Sequence, residues 1–153
     1  MPSHPSSLGW LASAGLAPPV LEHLLLLEKQ LWTDTLEPPL LELVRLRVAQ
    51  LLEAPAEVAR RSPAAVAAGF AESKALALSA WRHSTAFNER EQAVLAWTEH
   101  WVIDPEQITD ADAARLRRSL TDQDCASLST ALALFEALAR TRLALGLATS
   151  GVN

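Results

Sequence analysis

The sequence predicts a single all-α domain, and both its composition and its apolar pattern point to this class. Ala and Leu each occur 28 times among the 153 residues, against five glycines and no tyrosine, and these side chains lose little conformational entropy in a helix. Apolar residues recur every three or four positions along most of the chain. The length suffices for one hydrophobic core. We therefore expect one helical domain over residues 17–150, preceded by an irregular N-terminal arm of residues 1–16 that is rich in Ser and Pro.

Apolar spacing predicts the first two helices, and prolines mark where they begin and end. A helix is predicted from Pro18 to Trp32, with apolar residues at helical intervals: Val20, Leu21, Leu24, Leu27, Leu31 and Trp32. The sequence Glu37-Pro-Pro ends this helix, and Pro39 suits the first turn of the next one, which runs to about Leu52. The second helix has one apolar face, and its other face carries Glu42, Arg45 and Arg47.

The stretch LLEAPAEVARRSP, residues 51–63, contains two helix signals separated by a break. Ala54-Pro55 can begin a short helix, but Pro63 would remove a hydrogen bond and clash with the preceding turn if that helix continued. Ser62 suits an N-cap with Pro63 at the first helical position, so a second short helix is predicted, with Gly69 as its C-cap. The apolar pattern then predicts another helix from Glu72 to Trp81.

Three capping patterns begin the remaining helices. Asn88 to Glu91 has the spacing of a capping box, and the pattern that follows predicts a helix to about Ile103. Thr109 to Asp112 begins a short helix in the same way, and Thr121 to Asp124 begins a long one that runs to about Ala148. The total is about seven helices. The last is apolar nearly all round in its second half, which indicates either the central element of the domain or half of an oligomer interface.

Charge and hydropathy exclude several classes of partner. The net charge of −5 and the pI near 5.3 come from interspersed acids and bases, so nucleic acid is not an expected partner. No membrane segment is expected, because no stretch long enough to span a bilayer lacks charged residues. The N-terminus lacks the basic region of a signal peptide, and the single cysteine cannot form an internal disulfide. These observations predict a cytoplasmic protein by default.

The sequence predicts no metal and no cofactor. Among His4, His23, His83 and His100, no two have the i, i+4 spacing of a helical zinc pair, and Cys125 stands alone. There is no Gly-rich phosphate loop and no serine in a nucleophile elbow. Cys125 falls in the first turn of a predicted helix, where the helix dipole favours some thiolate character. The alternative is that it serves only as a small first-turn residue.

Glu42 is the acid that most suggests chemistry. It lies in an Arg-rich helix, and Glu57 and Arg61 follow one connection later with i, i+4 spacing. If the two helices pack together, carboxylates and guanidinium groups share a cleft that could carry out acid/base chemistry. The alternative is a solvated face with surface ion pairs worth less than about 1 kcal/mol each.

Three segments carry a family resemblance. They are ELVRLRVAQL at residues 42–51, LALSAWR at residues 76–82 and FNEREQAVLAWTE at residues 87–99, with Gly69 between the first two. Together they resemble the alkylhydroperoxidase D-like branch of the carboxymuconolactone decarboxylase family over roughly residues 20–147. Near the C-terminus, Phe135 to Arg140 resembles a worn form of the family's I-N-A-x-N-R stretch and keeps Ala137 and Arg140.

The resemblance implies an alkylhydroperoxidase D-like helical bundle that forms a homo-oligomer, either a trimer, a dimer or a hexamer. It also implies a redox site: in the family the AQL segment is followed by N-G-C-x-x-C and then by a histidine. Aligned without gaps, the two cysteines fall on Ala54 and Glu57, the histidine on Arg61 and the family glutamate on Glu42. Three of the four chemical positions are thus replaced. The resemblance therefore implies that the redox activity is lost, because neither Ala nor Glu reduces a peroxide.

Three functional hypotheses follow. The first is a non-redox pseudoenzyme or small-molecule binding protein, with its pocket around Glu42, Glu57 and Arg61. The second is a general acid/base enzyme of the decarboxylase or lactone-acid type, with Glu42 as the base and Arg61 or Arg45 holding a carboxylate. The third is a peroxidase or peroxiredoxin-like activity, which would depend on Cys125 and a thiol from a partner.

Overall fold

The computed structural model describes residues 8–147, in which the regular secondary structure is helical and no strand is present. The predicted all-α class is therefore confirmed. The described residues form nine α-helices: α1 Gly9–Ser13, α2 Pro18–Asp34, α3 Pro38–Leu51, α4 Pro55–Ala59, α5 Pro63–Ala67, α6 Glu72–Ala77, α7 Glu89–Ile103, α8 Asp110–Ser119 and α9 Asp122–Ala144. Two 3-10 helices lie at Leu78–His83 and Pro105–Gln107. Within this part of the chain, none of the helices combines the length and the hydropathy needed to cross a membrane.

Helix α3 lies at the centre of the domain and packs mainly against α7 and α9. One side of α3 joins the main core, where Val44 and Val48 meet Val94 of α7 and Leu132 of α9. The opposite side joins a second apolar cluster that consists of Leu43, Leu46, Leu78, Trp81, Phe87, Leu95 and Ala96. Because α3 is covered on both sides, its charged residues Glu42 and Arg45 are buried, and each needs a partner inside the protein.

The predicted helix starts are confirmed where a capping box is present. Asn88, Thr109 and Thr121 each accept a hydrogen bond from the backbone N–H three residues later, and the carboxylate at that position accepts one from the backbone N–H of the cap residue. Each arrangement satisfies two N–H groups that would otherwise lack a partner at the helix start. In α2, α3, α4 and α5 a proline occupies the first turn instead, where no intrahelical donor is needed.

The structure differs from the prediction at both ends of the described chain. Part of the arm predicted as irregular forms helix α1, because Leu8 and Leu11 are buried in the main core and anchor it. The rest of that arm, residues 1–7, lies outside the described residues. The last helix ends at Ala144 because Gly146 takes a left-handed conformation with φ of +63°. Its predicted end at Ala148 also lies outside the described residues.

The segment between α3 and α6 keeps its predicted break. Helix α4 ends at Ala59, Arg60 is extended with φ of −92° and ψ of +160°, and α5 begins at Pro63. Ser62 precedes α5 as predicted, but its side chain makes no capping hydrogen bond. Farther along, the helix predicted from Glu72 to Trp81 is shorter: α6 gives way to a 3-10 helix with non-helical backbone at Ala80.

Candidate functional site

Glu42 and Arg45 form a buried ion pair on α3. Arg45 Nε donates to Glu42 Oε2 at 2.9 Å, and Arg45 Nη2 donates to Oε1 at 2.7 Å. The backbone N–H of Ser62 donates to the same Oε1 at 3.2 Å. Glu42 has no solvent exposure and Arg45 has 3%. This two-point geometry is the strong form of an arginine–carboxylate interaction.

The remaining donors of Arg45 bind the segment around α4. Arg45 Nη1 donates to the backbone carbonyl of Glu57 at 2.8 Å and to its Oε2 at 3.3 Å. Arg45 Nη2 also donates to the carbonyl of Arg60 at 2.7 Å. All five N–H groups of the guanidinium therefore have a partner. Arg45 fixes the break between α4 and α5 onto α3.

Glu57 accepts hydrogen bonds from two further arginines. Arg60 Nε donates to its Oε2 at 2.7 Å, and Arg142 Nη1 from α9 donates to its Oε1 at 2.9 Å. Burial raises the pKa of Glu57, but the charge of Arg60 and the hydrogen bonds from Arg142 and Arg60 outweigh burial and hold that pKa below its usual value of 4.5. We call Glu42, Arg45, Glu57, Arg60 and Arg142 the buried ion cluster. Its three guanidinium groups and two carboxylates leave one net positive charge.

Arg61 lies apart from this cluster. Its Nε and Nη2 donate to Glu72 at 3.0 and 2.6 Å, and Glu72 is largely exposed. The i, i+4 pairing of Arg61 with Glu57 was therefore wrong. That pairing needs a helix that continues through Arg61, whereas α4 ends at Ala59. Of the residues that the sequence selected, the structure brings Glu42, Arg45 and Glu57 together and leaves Arg61 outside.

Sequence reasoning missed Arg60 and Arg142. Arg60 stands three positions after Glu57, and this i, i+3 spacing is a local signal that could have identified the pair. Arg142 lies 85 positions after Glu57, and no local pattern links them. It is also fixed by the carbonyl of Leu147, which accepts from its Nε at 3.0 Å, and by the ring of Trp10, whose centroid lies 5.6 Å from its Cζ.

A cavity of about 140 Å³ lies between α4 and the end of α9. Its wall is mostly apolar, and Glu57 and Arg142 are its charged residues. The lining residues are Ala54, Pro55, Ala56, Glu57, Ala139, Arg142, Leu143, Gly146 and Leu147. Glu42, which the sequence placed at the centre of the pocket, is not among them. We call this space the α4/α9 cavity.

A second and more open space lies on the other side of Ala54 and Pro55. These two residues line both this space and the α4/α9 cavity. This groove has a volume of about 650 Å³ and runs between the end of α3, α4 and the 3-10 helix at Leu78–His83. Arg47, Gln50, Glu53 and Ser79 are its polar residues, and the others are Ala49, Ala54, Pro55, Val58 and Ala59. We call it the α3/α4 groove.

Glu99 of α7 holds the arginine that lines this groove. Arg47 Nε and Nη2 donate to Glu99 Oε1 at 2.9 and 2.6 Å, and Trp81 Nε1 donates to the same oxygen at 2.7 Å. Arg82 donates to the other oxygen of Glu99. Burial raises the pKa of Glu99, but the hydrogen bonds from Trp81, Arg82 and Arg47 hold it below the usual value of 4.5. Arg47 is thus engaged by Glu99 at the base of the groove.

Cys125 lies far from both spaces. It is half-buried in the first turn of α9, and burial together with the charge of Asp122 raises the pKa of its thiol above the usual value of 9.0. The thiolate character expected from the helix dipole is therefore outweighed. Ala139, which lines the α4/α9 cavity, is about 20 Å farther along the same helix at 1.5 Å per residue. Among residues 8–147, no three His, Cys, Asp or Glu side chains come together as a possible metal site.

Comparison with known proteins identifies the family. A model of the carboxymuconolactone decarboxylase family matches residues 18–100, which is more than half of the chain. The chain belongs to this family. Its fold is similar to that of a protein of unknown function from Agrobacterium tumefaciens, proposed to be the antioxidant defence protein AhpD, with a TM-score of 0.74 and 20% identity over 86% of this chain and 91% of that one. A search of the curated proteins finds no match.

The residues that the sequence analysis aligned with the family's redox site lie in different places. Ala54 and Glu57, the predicted cysteine positions, both line the α4/α9 cavity. Glu53, just before Ala54, has a φ of +52°, the left-handed conformation that glycine adopts without strain. Arg61, the predicted histidine position, pairs with Glu72.

Proposed function

We propose that this member of the carboxymuconolactone decarboxylase family is a non-redox protein that binds a small monocarboxylate in the α4/α9 cavity. The observation that carries the proposal is the position of Arg142 on a cavity wall whose other charged residue, Glu57, is already held by three arginines. Within the described residues, its Nη2 group makes no hydrogen bond, and the buried ion cluster to which it belongs has one net positive charge. A ligand carboxylate can accept from those free N–H groups and balance that charge.

The size and lining of the cavity limit the rest of the ligand. A dry cavity of about 150 Å³ lined by apolar side chains is large enough to bind benzene, and the α4/α9 cavity has a similar volume of about 140 Å³. The ligand is therefore a single ring or a short hydrocarbon chain with one carboxylate. Benzoate and hexanoate are suitable probes.

Several observations support a non-redox role. The chain has one cysteine, so it cannot hold a pair of thiols that reduces peroxide and then resolves as a disulfide. The raised pKa of Cys125 lowers its thiolate fraction, and the thiolate is the reactive species. Wild-type protein should consume no more hydrogen peroxide or alkyl hydroperoxide than the Cys125→Ala variant. Peroxide turnover that Cys125→Ala abolishes would support the peroxidase hypothesis instead.

Binding is also favoured over acid/base catalysis. Glu42 has no solvent exposure, and its oxygens accept three hydrogen bonds. Glu57 borders the cavity, but its lowered pKa makes it a weak base near neutral pH. Glu57 therefore lacks the raised pKa that a general base needs to work well at pH 7. The buried ion cluster is better suited to hold a charge than to move a proton.

Isothermal titration calorimetry with benzoate tests the proposal. Benzamide, a neutral molecule of the same shape, serves as the reference ligand. We expect benzoate to bind at least ten times more tightly than benzamide, and Arg142→Met to remove most of that difference. Arg140→Met is the matched control, because Arg140 is exposed on the same helix and pairs with Glu136. Equal binding of both ligands to the wild-type protein would overturn the proposal.

Blocking the entrance gives a second test. Leu143 lines the cavity and is 45% exposed, whereas Leu145 nearby is 56% exposed and does not line it. Leu143→Trp should weaken benzoate binding at least tenfold, and Leu145→Trp should leave it within twofold of wild type. Loss of binding in both variants, or in neither, would place the ligand elsewhere.

The homo-oligomer predicted from the sequence stays a prediction. Large apolar side chains are exposed on several helices of the described chain, among them Val20 and Leu26 of α2. Their exposure supports a shared interface. Light scattering coupled to size-exclusion chromatography measures the number of subunits directly.

A further inference from the structure

Glu53 adopts a backbone conformation that costs free energy. Its φ is +52°, and it is the only residue other than glycine with positive φ in the described part of the chain. An L-residue in the left-handed region is strained, because its Cβ lies too close to the following carbonyl oxygen. The backbone here closes α3: the N–H of Glu53 donates to the carbonyl of Gln50 at 3.1 Å, and the N–H of Ala54 donates to that of Ala49 at 2.9 Å. Glycine would close the helix without the strain.

The side chain of Glu53 lies at the rim of the α3/α4 groove. It is exposed, and no hydrogen bond or ion pair joins its carboxylate to another described residue. Two neutral polar groups of the groove are also free: the amide nitrogen of Gln50 and the hydroxyl of Ser79 have no hydrogen-bond partner within residues 8–147. The rest of the lining is apolar apart from Arg47.

The Glu53 carboxylate is the charged group of this groove that has no ion-pair partner within residues 8–147. Helix α3 has 14 residues and ends beside Glu53, so the negative pole of its dipole lies here, and its last turn contains no basic residue. Arg47, on the groove wall, is engaged by Glu99 and by Gln50 Oε1, to which its Nη1 donates at 3.0 Å. The free Glu53 carboxylate and the end of α3 therefore act together on any charged ligand that enters.

We propose that the α3/α4 groove is a binding site for a small organic ammonium ion with an apolar body. The ammonium group pairs with the Glu53 carboxylate at the end of α3, and the apolar body lies along Ala49, Val58 and Ala59. The volume of about 650 Å³ is in the usual range for small-ligand sites. The site does not rest on the proposed carboxylate site, because Ala54 and Pro55 separate the two spaces.

The test compares a cation with a neutral molecule of similar shape. Phenethylammonium is the cation, 2-phenylethanol is the neutral reference, and calorimetry at low ionic strength measures both affinities. We expect the cation to bind at least ten times more tightly than the alcohol to the wild-type protein. In Glu53→Gln the two should bind within twofold of each other. Glu89→Gln is the matched control, since Glu89 is also exposed but lies in the first turn of α7.

Two further variants separate a ligand site from a merely structural role. Ala59→Trp places a bulky side chain in the groove at an exposed position and should weaken cation binding at least tenfold. Glu53→Gly removes both the charge and the strain, so it should lose cation binding while the protein unfolds at a higher denaturant concentration. If Glu53→Gly or Glu53→Gln keeps the wild-type preference for the cation, the proposal is wrong.

The outcomes for the two sites are distinguishable. Arg142→Met should leave phenethylammonium binding within twofold of wild type, and Glu53→Gln should do the same for benzoate. Failure of benzoate to bind would overturn the proposed function alone. Failure of the wild-type protein to prefer the cation over the alcohol would overturn the groove proposal alone.

Discussion

Arg142 Nη1 donates to Glu57 Oε1 at 2.9 Å, although the two residues are 85 positions apart in the chain. This bond joins the last turns of α9 to the short helix α4, and both elements line the α4/α9 cavity. The same Glu57 is held from the opposite side by Arg45 and Arg60. The cavity wall is therefore fixed by ion pairs, and their energetics can be measured.

Arg45 should be the residue of the buried ion cluster whose loss costs most stability. Arg45→Met leaves the buried carboxylates of Glu42 and Glu57 without their shared partner, and breaking a buried pair in this way typically costs about 3–5 kcal/mol. Urea unfolding monitored by circular dichroism measures the change. Arg61→Met is the control, because its carboxylate partner Glu72 is largely exposed and the substitution leaves no buried charge, so its cost should be much smaller. Similar losses in the two variants would contradict a special role for Arg45.

Stability should fall on acidification because of Glu57 and Glu99. The pKa of each lies below its usual value of 4.5 in the folded protein. The folded state therefore holds these protons less tightly than the unfolded state does. Their contribution is complete above about pH 4.5 and is lost as the pH falls through the folded-state pKa. The melting temperature between pH 7 and pH 3 should show a steep acid limb, which Glu57→Gln and Glu99→Gln flatten. An unchanged limb in both variants would be inconsistent with this linkage.

Replacing Glu53 by glycine should stabilise the protein. The left-handed backbone at φ of +52° costs glycine little, and part of the gain is offset because glycine is more flexible in the unfolded chain. The expected net effect is an increase of up to about 1 kcal/mol in the free energy of unfolding. Glu53→Ala is the control, because it removes the carboxylate but keeps the strain, so it should give no such increase in denaturant unfolding.

Cys125 should react slowly with thiol reagents in the folded protein. Its raised pKa reduces the thiolate fraction, and partial burial limits access. At pH 8 the rate of alkylation by iodoacetamide, followed by mass spectrometry, should be several times lower than that of the same cysteine in urea-unfolded protein. A folded-state rate above the unfolded one would indicate an activated thiol and would reopen the peroxidase hypothesis.

Local signals predicted most of the fold and only part of the site. The capping boxes at Asn88, Thr109 and Thr121 marked helix starts correctly, because both partners of each box lie within four residues. The predicted pairing of Arg61 with Glu57 was wrong because it needs a helix that reaches Arg61, whereas α4 ends two residues earlier, at Ala59. Arg142 could not be found at all, since a contact between α4 and α9 depends on how the helices pack and not on any spacing in the sequence.

The cavity wall is divided between two parts of the chain that differ in their relation to the family. Ala54 to Glu57 lie inside the matched residues 18–100, whereas Ala139, Arg142, Leu143, Gly146 and Leu147 lie outside them. If the cavity binds the proposed carboxylate, substitutions at the end of α9 can change the preferred ligand while residues 18–100 stay the same. Two relatives with indistinguishable family segments can diverge in specificity through the last turns of a single helix.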